Sequence, residues 1–516
     1  MKFNTFNFTI FNDSITVFWK KQKSIKEEYH YNIYLNGEKV ATTNKTHYTF
    51  TDLSSDTEYF IKAELEINNN VTLIDEKLVR TNKNSKIIDV TKPPYNAVGD
   101  GVTLNTKAIQ KAIDDCSKFQ IVYIPKGTFL SGALTLHSNM TLYVEKGAKL
   151  LGSTSEKDYL PKIQSRFEGY EMMCYKAFIN IGTMDKNATY TTKNVIIRGG
   201  GTIEGGGHVL CENIINAERL LQSEYVKNLG EKIKTFDSEK AIYGRARGRL
   251  VQVSNTKNVI FDNITFKNGA SWTLHFIYSK DIVTQNCYIY SRAVHNGDGW
   301  NPDSSSNLVI FNTGFETGDN CVAIKSGKNP EGNIINKPTT NVFIFDCTIN
   351  SGGGFAIGSE MSGGVKDVHI WDCNAKKGLL GVRIKAPVVR GGYIENVTAI
   401  DSEMPDISIT TRYGCNLDGE SAKTQTTFKN FYFENLLLTG VGYQYFHYSQ
   451  GKDKVNINEP RNRTAIEIIG PTSSGNEIKN VKIIDCKILK REDNSIHNFE
   501  LSNIKNLTLK NLNFVE

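Results

Sequence analysis

The stretch Asn258–Asn268, NVIFDNITFKN, contains the pattern that decides the fold. A run of alternating residues is followed by Asn or Asp and then by a second alternating run. The same pattern recurs at Asn194–Gly205, Asp281–Ser291, Asn307–Thr317, Asn341–Ser351, Asp367–Lys377 and Asn480–Lys490. Alternation is typical of short β-strands, and Asn or Asp between two strands is typical of a tight turn.

The Asn and Asp positions of this pattern recur at a nearly constant interval. Positions 263, 286, 312, 346, 372 and 396 are separated by 23, 26, 34, 26 and 24 residues. A repeat of this length indicates a solenoid, and each unit has room for three short strands and three turns. The regular leucines of a leucine-rich repeat are absent from the sequence. We therefore expect each repeat to form one coil of a parallel β-helix, with Asn and Ile side chains stacked from coil to coil.

Residues 1–82 follow a different pattern. Short alternating runs occur at Ile15–Trp19, Tyr29–Leu35, Tyr48–Phe50 and Tyr59–Ile67. About seven short strands in this length predict a small β-sandwich. The segment resembles a fibronectin type III module, with Trp19 as its core tryptophan and Leu53 with Tyr59 as its tyrosine corner. We expect two domains, residues 1–82 and 83–516, with a helix from Lys107 to about Ser117 near the start of the second.

Composition narrows the classes of partner and cofactor. A net charge of +6 without a long Lys/Arg run argues against nucleic acid, and the sequence holds no apolar stretch long enough to span a membrane. Nine cysteines without a close C-x-x-C pair indicate buried small side chains, not a disulfide framework. Histidine is sparse, so neither a metal nor another cofactor is expected. The oligomeric state stays open.

The N-terminus bears on localisation. It contains Lys2 but no apolar run of the length found in leader peptides, and no small-residue cleavage site. We therefore expect a cytoplasmic protein if residue 1 is the native start, and otherwise a secreted or periplasmic one.

Three short motifs carry the candidate chemistry, at residues 296–299, 318–321 and 383–385. Each alone is typical of a turn or of a strand with a solvated face. However, Asp298 and Asp319 are 21 residues apart, about one coil, so we expect them to lie nearly above one another on adjacent coils. Arg383 and Lys385 share one face of their strand because side chains alternate. If that face also bears the aspartates, it forms a groove suited to an acidic sugar.

These residues resemble glycoside hydrolase family 28, the polygalacturonases and rhamnogalacturonan hydrolases, from about residue 87 to the C-terminus. The family's Asn-Thr-Asp-Gly, Asp-Asp-Cys and Arg-Ile-Lys motifs are matched here, with Gly297 for Thr and Asn320 for the second Asp. Further matches are Ser271–His275 and Ile357–Gly364. The resemblance implies an all-β fold, in which a right-handed, pectin-lyase-like parallel β-helix follows the fibronectin type III-like β-sandwich.

The resemblance also implies an inverting glycoside hydrolase acting on a pectic oligosaccharide or polysaccharide. Asp319 corresponds to the general acid and Asp298 to a general base. The family's second base carboxylate is replaced by Asn320, whose amide can hold the attacking water but cannot take its proton. The residues predicted to bind substrate are Arg383, Lys385, His275, Arg249 and Asn296. For His275 and Arg249 a packed, structural role is the alternative.

The sequence supports two interpretations of the substrate. The family's polygalacturonases carry a Gly-His-Gly motif where this chain has Ser351–Ala356 without histidine, which together with Asn320 favours the rhamnogalacturonan branch. Residues 357–364 and the leading module instead resemble bacterial exo-acting polygalacturonases. Our leading prediction is exo-acting cleavage of α-linked galacturonate-containing chains, with the inserts Cys211–Arg249 and 436–462 closing one end of the groove. The alternatives are cleavage at galacturonate–rhamnose linkages and a non-catalytic sugar-binding β-helix.

Overall fold

A computed structural model describes residues 5–187, 189–236, 238–414, 417–447, 455–473, 475–490 and 498–516. The chain divides into two compact units, Met1–Lys86 and Ile87–Glu516. The first contains two antiparallel sheets. Their strands are Asn7–Ile10, Ile15–Phe18 and His47–Phe50 in one sheet, and Glu38–Thr43, Tyr29–Leu35, Glu58–Ile67 and Asn70–Arg80 in the other.

The core of the first unit forms around an aromatic cluster. Trp19 is buried, and its ring contacts the rings of Phe6 and Tyr31 at centroid distances of 5.6 and 5.1 Å. The Tyr59 hydroxyl accepts a hydrogen bond from the backbone N–H of Ser54 at 2.8 Å, five residues upstream. A tyrosine at a sandwich corner that binds the backbone behind it is the feature on which the fibronectin-like resemblance depends.

The second unit consists of three long parallel sheets, which we call the floor, back and side sheets. The floor sheet contains Leu134–Leu136, Ile179–Ile181, Val251–Ser254, Leu274–Ile277, Trp300–Asp303, Val322–Ile324, Phe355–Ile357, Val382–Lys385, Ile407–Thr410, Ile466–Ile469 and Phe499–Ser502. The side sheet contains Asp100–Leu104, Gly127–Ser131, Ala148–Gly152, Thr202–Glu204, Thr265–Lys267, Tyr288–Ser291, Gly314–Thr317 and Thr348–Ser351.

The back sheet is the longest of the three. It contains Ile87–Asp89, Ile121–Ile124, Met140–Val144, Thr192–Arg198, Thr256–Asp262, Lys280–Gln285, Ser306–Phe311, Thr339–Phe345, Val365–Trp371, Tyr393–Met404, Thr427–Leu438, Ile478–Ile484, Ile504–Lys510, Lys487–Leu489 and Asn513–Val515. One coil runs through a back, a side and a floor strand, as in Lys280–Gln285, Tyr288–Ser291 and Trp300–Asp303. The inward apolar side chains of all coils form one continuous core. The parallel β-helix is therefore confirmed.

Asparagine and aspartate form two rows along the coils. In the first row, Asn307 donates to Asp281 at 2.8 Å and Asn341 donates to Asn307 at 3.1 Å. In the second row, Asn312 donates to Asn286 at 2.7 Å. Members of both rows have positive φ, a conformation that Asn and Asp tolerate better than other non-glycine residues. Their side chains thus bond adjacent coils while their backbones make the turns.

One position in the predicted repeat was wrong. Asn396 belongs to the first row, because its amide donates to Asp367 at 2.8 Å. The second row continues instead at Asp401, which accepts from Asn435 at 2.7 Å. Both rows occur in each of these segments about five residues apart, so a sequence interval alone confuses them.

The helices lie between strands. The predicted helix is found at Thr106–Asp114, ending earlier than expected. The others are Gly207–Leu221, Ser223–Leu229, Glu239–Gly244 and Glu331–Ile335, with short 3-10 turns at Glu156–Tyr159, Gly230–Thr235 and Val388–Arg390. The helical character of the 207–244 insert was not predicted, although Leu210, Cys211, Ile214 and Ile215 are buried at helical spacing.

Two antiparallel hairpins complete the described elements. They are Ile163–Phe167 with Tyr170–Cys174, and Val441–His447 with Val455–Asn462. Residues 448–454 of the predicted insert 436–462 lie outside the described residues. The eight described cysteines are buried and unpaired. Within the described ranges, no helix has the length and apolar character needed to cross a membrane.

Candidate active site

The floor sheet presents two rows of outward side chains. Strand register places Gln252, His275, Asn301, Ala323, Ala356, Arg383, Ser408 and Glu467 in one row. Asp303 and Lys325 pair across neighbouring coils in the other row, which also contains Lys385. The residues between them, such as Leu274, Trp300 and Ile384, point into the core. Asp298 and Asp319 precede the adjacent floor strands Trp300–Asp303 and Val322–Ile324.

Asp298 is buried beside the Lys325 ammonium. The residue is 2% exposed, and its Oδ2 lies 3.5 Å from Lys325 Nζ. Oδ1 is buried and has no hydrogen-bond partner among the described residues. Burial and the nearby charge of Asp319 raise the pKa of Asp298 to about 7, against the opposing effect of Lys325 and Lys385. Asp298 therefore takes up and releases a proton near neutral pH.

Asp319 is partly exposed and held by its neighbour. Its Oδ1 accepts two hydrogen bonds of 2.9 Å, from the backbone N–H and the side-chain Nδ2 of Asn320. Asn320 was predicted to position the attacking water, but its amide nitrogen is directed at Asp319 instead. The structure therefore makes Asn320 a residue that orients Asp319, leaving the other carboxylate oxygen of Asp319 for chemistry.

The glycines that replace the family's histidine are closely packed. A Cβ on Gly352, whose φ is +125°, would lie 2.0 Å from Thr317 Oγ1, so no side chain fits there. A Cβ on Gly353 would lie 3.1 Å from Asn320 Oδ1. Contact with Asn320 thus accounts for a small residue at position 353.

Lys325 and Glu360 are site residues that sequence reasoning missed. Lys325 is 4% exposed, and its Nζ lies 3.2 Å from Glu360 Oε2 and 4.4 Å from the centroid of the Trp272 ring. Although burial opposes its charge, Glu360 and Asp298 raise the pKa of Lys325. The signal that could have found Lys325 is its position directly after the strand that follows Asp319. That position puts Lys325 in register with Asp303 on the groove face.

Arg383 and Lys385 face the groove without a carboxylate partner. Unlike Lys325, neither has an ion-pair partner in the described part of the chain. Their cationic groups lie 5.9 and 4.6 Å from the centroid of the Tyr413 ring. Arg383 Nε is buried and unsatisfied, and burial lowers the pKa of Lys385 while Asp319 opposes that effect. An anionic ligand would satisfy both cations.

The structure does not bring His275 and Arg249 to the groove surface, contrary to their predicted substrate contacts. His275 is fully buried, with Nε2 at 3.2 Å from Asp303 Oδ2 and Nδ1 at 3.3 Å from Arg249 Nε. Burial is the main cause that lowers the pKa of His275 to about 4. The Arg249 guanidinium lies beside the stacked Phe167 and Trp272 rings, 4.4 and 4.8 Å from their centroids, and donates to the backbone carbonyls of residues 166 and 247. Both residues are packed, as their alternative reading stated.

Asn296 remains beside the carboxylates. It is partly exposed, and its φ of +52° belongs to the turn before Asp298. Its Oδ1 accepts a hydrogen bond of 2.7 Å from Arg247 Nη2. Arg247 is fully buried, so it fixes the turn that carries Asp298, and it is a further residue that the motifs did not reveal.

The hairpin Ile163–Cys174 covers the part of the floor from Val251–Ser254 to Trp300–Asp303. Ser165 Oγ donates to Gln252 Oε1 at 2.5 Å, Arg166 Nη1 donates to Asp303 Oδ1 at 2.7 Å, and the Phe167 ring stacks on Trp272 at 4.8 Å. These contacts explain why the floor is buried from Gln252 to Asp303. Farther along the floor, Arg383 and Glu467 are partly exposed, whereas Lys385 and Ser408 are buried.

An ion cluster links this hairpin to three other segments. Arg245, from the helical insert, binds Glu168 of the hairpin at 2.8 Å and Asp418 at 2.9 Å. Lys328 binds Asp418 as well. Arg245 therefore joins the insert Cys211–Arg249 to the hairpin, which covers the floor and was not predicted. The described part of 436–462 packs against a neighbouring loop, where the backbone N–H of Tyr443 donates to the Gly378 carbonyl at 3.0 Å and that of Leu379 donates to the Gly352 carbonyl at 2.8 Å.

The groove of this parallel β-helix holds two neighbouring carboxylates beside two cations that have no ion-pair partner among the described residues. These features define the class: glycoside hydrolases that act on acidic polysaccharides. Within that class, the chain belongs to glycosyl hydrolases family 28, whose model matches residues 116–468. Among the described residues, no group of three or more His, Cys, Asp or Glu side chains is arranged to bind a metal ion.

Individual relatives are similar over long stretches. The chain is 27% identical to an exo-poly-alpha-D-galacturonosidase of Dickeya chrysanthemi over 522 residues, which cover 95% of this chain and 80% of that protein. It is 32% identical to a probable polygalacturonase of Vitis vinifera over 63% of each chain. The fold matches a family 28 exopolygalacturonase of Yersinia enterocolitica with a TM-score of 0.81 and 22% identity, over 98% of this chain and 99% of that one. An exopolygalacturonase of Thermotoga maritima matches with a TM-score of 0.65 and 25% identity, over 83% and 92%.

Proposed function

We propose that the protein is an exo-acting, inverting hydrolase of α-linked galacturonate chains. The observation that carries the proposal is the position of Asp298 and Asp319 beside the covered end of the groove, with Arg383 and Lys385 on the open side. A chain end fits against the hairpin Ile163–Cys174, whereas a chain passing through would meet it. The Dickeya chrysanthemi relative, an exo-poly-alpha-D-galacturonosidase, supports the same mode.

The proposal gives each group one step. Asp319 donates a proton to the glycosidic oxygen as the bond to the anomeric carbon breaks. Asp298 takes a proton from the water that attacks the opposite face of that carbon, so the anomeric configuration inverts. Asn320 orients Asp319, and Arg383 with Lys385 hold the substrate carboxylate. NMR detection of the first anomer released tests the inversion.

The pH profile tests the roles of the two carboxylates. A base must be ionised, and the pKa of Asp298 is raised to about 7. We expect kcat/KM to rise with pH and to reach half its maximum near pH 7 on the acidic side. If kcat/KM instead falls as pH rises through 7, the proton of Asp298 is the one donated, and the roles of Asp298 and Asp319 are reversed.

Product analysis tests the exo mode and the linkage. We expect polygalacturonate to yield a small product of uniform size from the first minutes, while the viscosity of the polymer falls slowly. Early release of mixed mid-size oligomers would contradict end-wise cleavage. Rhamnogalacturonan oligosaccharides of matched length serve as the comparison, and faster cleavage of those would favour the galacturonate–rhamnose linkage.

A further inference from the structure

Lys325 is buried between two carboxylates, 3.5 Å from Asp298 Oδ2 and 3.2 Å from Glu360 Oε2. From this geometry we propose that Lys325 and Glu360 are positioning residues that together set the charge of Asp298 and thereby the pH range of hydrolysis. The inference rests on the base role of Asp298 in the proposed function and extends it to two residues to which the sequence analysis gave no role.

The Lys325 ammonium is held in place. The backbone N–H of Lys325 donates to the Pro302 carbonyl at 2.7 Å, and its carbonyl accepts from Thr339 Oγ1 at 2.5 Å. Its side chain, 5% exposed, lies against the face of the Trp272 ring. The ammonium therefore has no open space into which it could turn away from Asp298.

Glu360 competes with Asp298 for this single ammonium. Although burial opposes ionisation, Lys325, Arg390 and Lys385 lower the pKa of Glu360 to about 2, so Glu360 is charged throughout the working range. The ammonium is thus shared by two carboxylates, and its effect on Asp298 is divided. Glu360 also raises the pKa of Asp298 directly.

The charged groups that act on Asp298 come from the three coils that follow its own. Asp319 and Glu360 raise its pKa, while Lys325 and Lys385 lower it. Among the described cations, only Lys325 lies within 4.0 Å of the Asp298 carboxylate. Removing the Lys325 charge therefore raises the pKa of Asp298, and removing the Glu360 charge lowers it.

We expect substitutions of Lys325 and Glu360 to shift the acidic limb of the kcat/KM pH profile in opposite directions. We expect Lys325→Met to move the midpoint of kcat/KM to higher pH by about one to two units, and Glu360→Gln to move it to lower pH by about half a unit to one unit. Lys325→Arg keeps the charge and is expected to keep the midpoint near that of the wild type. Damage to packing alone would lower kcat without moving the two midpoints in opposite directions.

Lys328→Met is the matched control, because Lys328 is a buried lysine that binds Asp418 instead. Its acidic limb is expected to stay within about 0.3 units of the wild type. Titration of the Asp298 carboxyl by carbon NMR, assigned with Asp298→Asn, follows the same shifts without substrate. Midpoints that move together, or not at all, in Glu360→Gln and Lys325→Met overturn the inference. A wild type without hydrolytic activity overturns the proposed function, while the NMR titration still decides the inference.

Discussion

Asp298→Asn is expected to abolish turnover while making the protein more stable at neutral and alkaline pH. An amide has no proton-accepting capacity, so the attacking water loses its base, and we expect kcat to fall by about 10³-fold, within the range for loss of a general base. Asn is nearly the same size as Asp, so packing around position 298 is preserved.

The gain in stability follows from the raised pKa. The pKa of Asp298 is about 7 in the folded protein, against 3.8 as its ordinary value. The folded state therefore binds the proton more tightly than the unfolded state, and folding becomes less favourable as pH rises from about 4 to about 7. Above pH 7 this cost is fully present and is on the order of 4 kcal/mol. Asparagine removes it, so the free energy of unfolding is expected to rise in the variant.

The two readouts separate catalysis from structure. Turnover on polygalacturonate and urea unfolding are measured at pH 5 and pH 8, and the stability gain is expected to be larger at the higher pH. Asp367→Asn is the matched control. Asp367 lies on the back sheet and accepts a hydrogen bond from Asn396, which an amide oxygen can also accept, so activity and stability should change little. Near-normal turnover of Asp298→Asn would exclude Asp298 as the sole base.

The repeat and the motifs explain how much of the fold was predictable. Alternation, the Asn and Asp turns and the 21 residues between Asp298 and Asp319 are local features, and a solenoid converts such intervals directly into neighbouring coils. The outward direction of Arg383 and Lys385 follows from the strand period alone. Sequence reasoning therefore placed these four residues on the floor of one groove.

The burial of His275 and Arg249 was not predictable in this way. It depends on the hairpin Ile163–Cys174, whose Arg166 reaches Asp303 over 137 residues of sequence. The hairpin has no repeat partner, so no interval places it on the floor. The hydrogen bond from the Asn320 amide to Asp319 was not predictable for a related reason, because the identity of Asn320 is visible in the sequence but the direction of its amide is not.

Removal of the cations Arg383 and Lys385 is the second large effect expected. We expect Arg383→Ala and Lys385→Ala each to lower kcat/KM on polygalacturonate by about 10- to 100-fold, mainly through KM, because each variant loses a charge-assisted hydrogen bond to the substrate carboxylate. Arg383→Lys should recover only part of the loss, since an ammonium cannot bind a carboxylate through two parallel hydrogen bonds.

Methyl-esterified oligogalacturonides separate charge recognition from general damage to the groove. Their carboxyl groups are neutral, so the loss caused by Arg383→Ala or Lys385→Ala should be much smaller on them than on free oligogalacturonides. Lys385 also lowers the pKa of Asp298, so the comparison is made well above pH 7, where Asp298 is ionised in every variant. Arg412→Ala is the control, because Arg412 is exposed and paired with Glu500. Equal losses on both substrates would show that these cations support the groove and do not bind the substrate carboxylate, since a group that recognises a charge must lose its effect when that charge is removed.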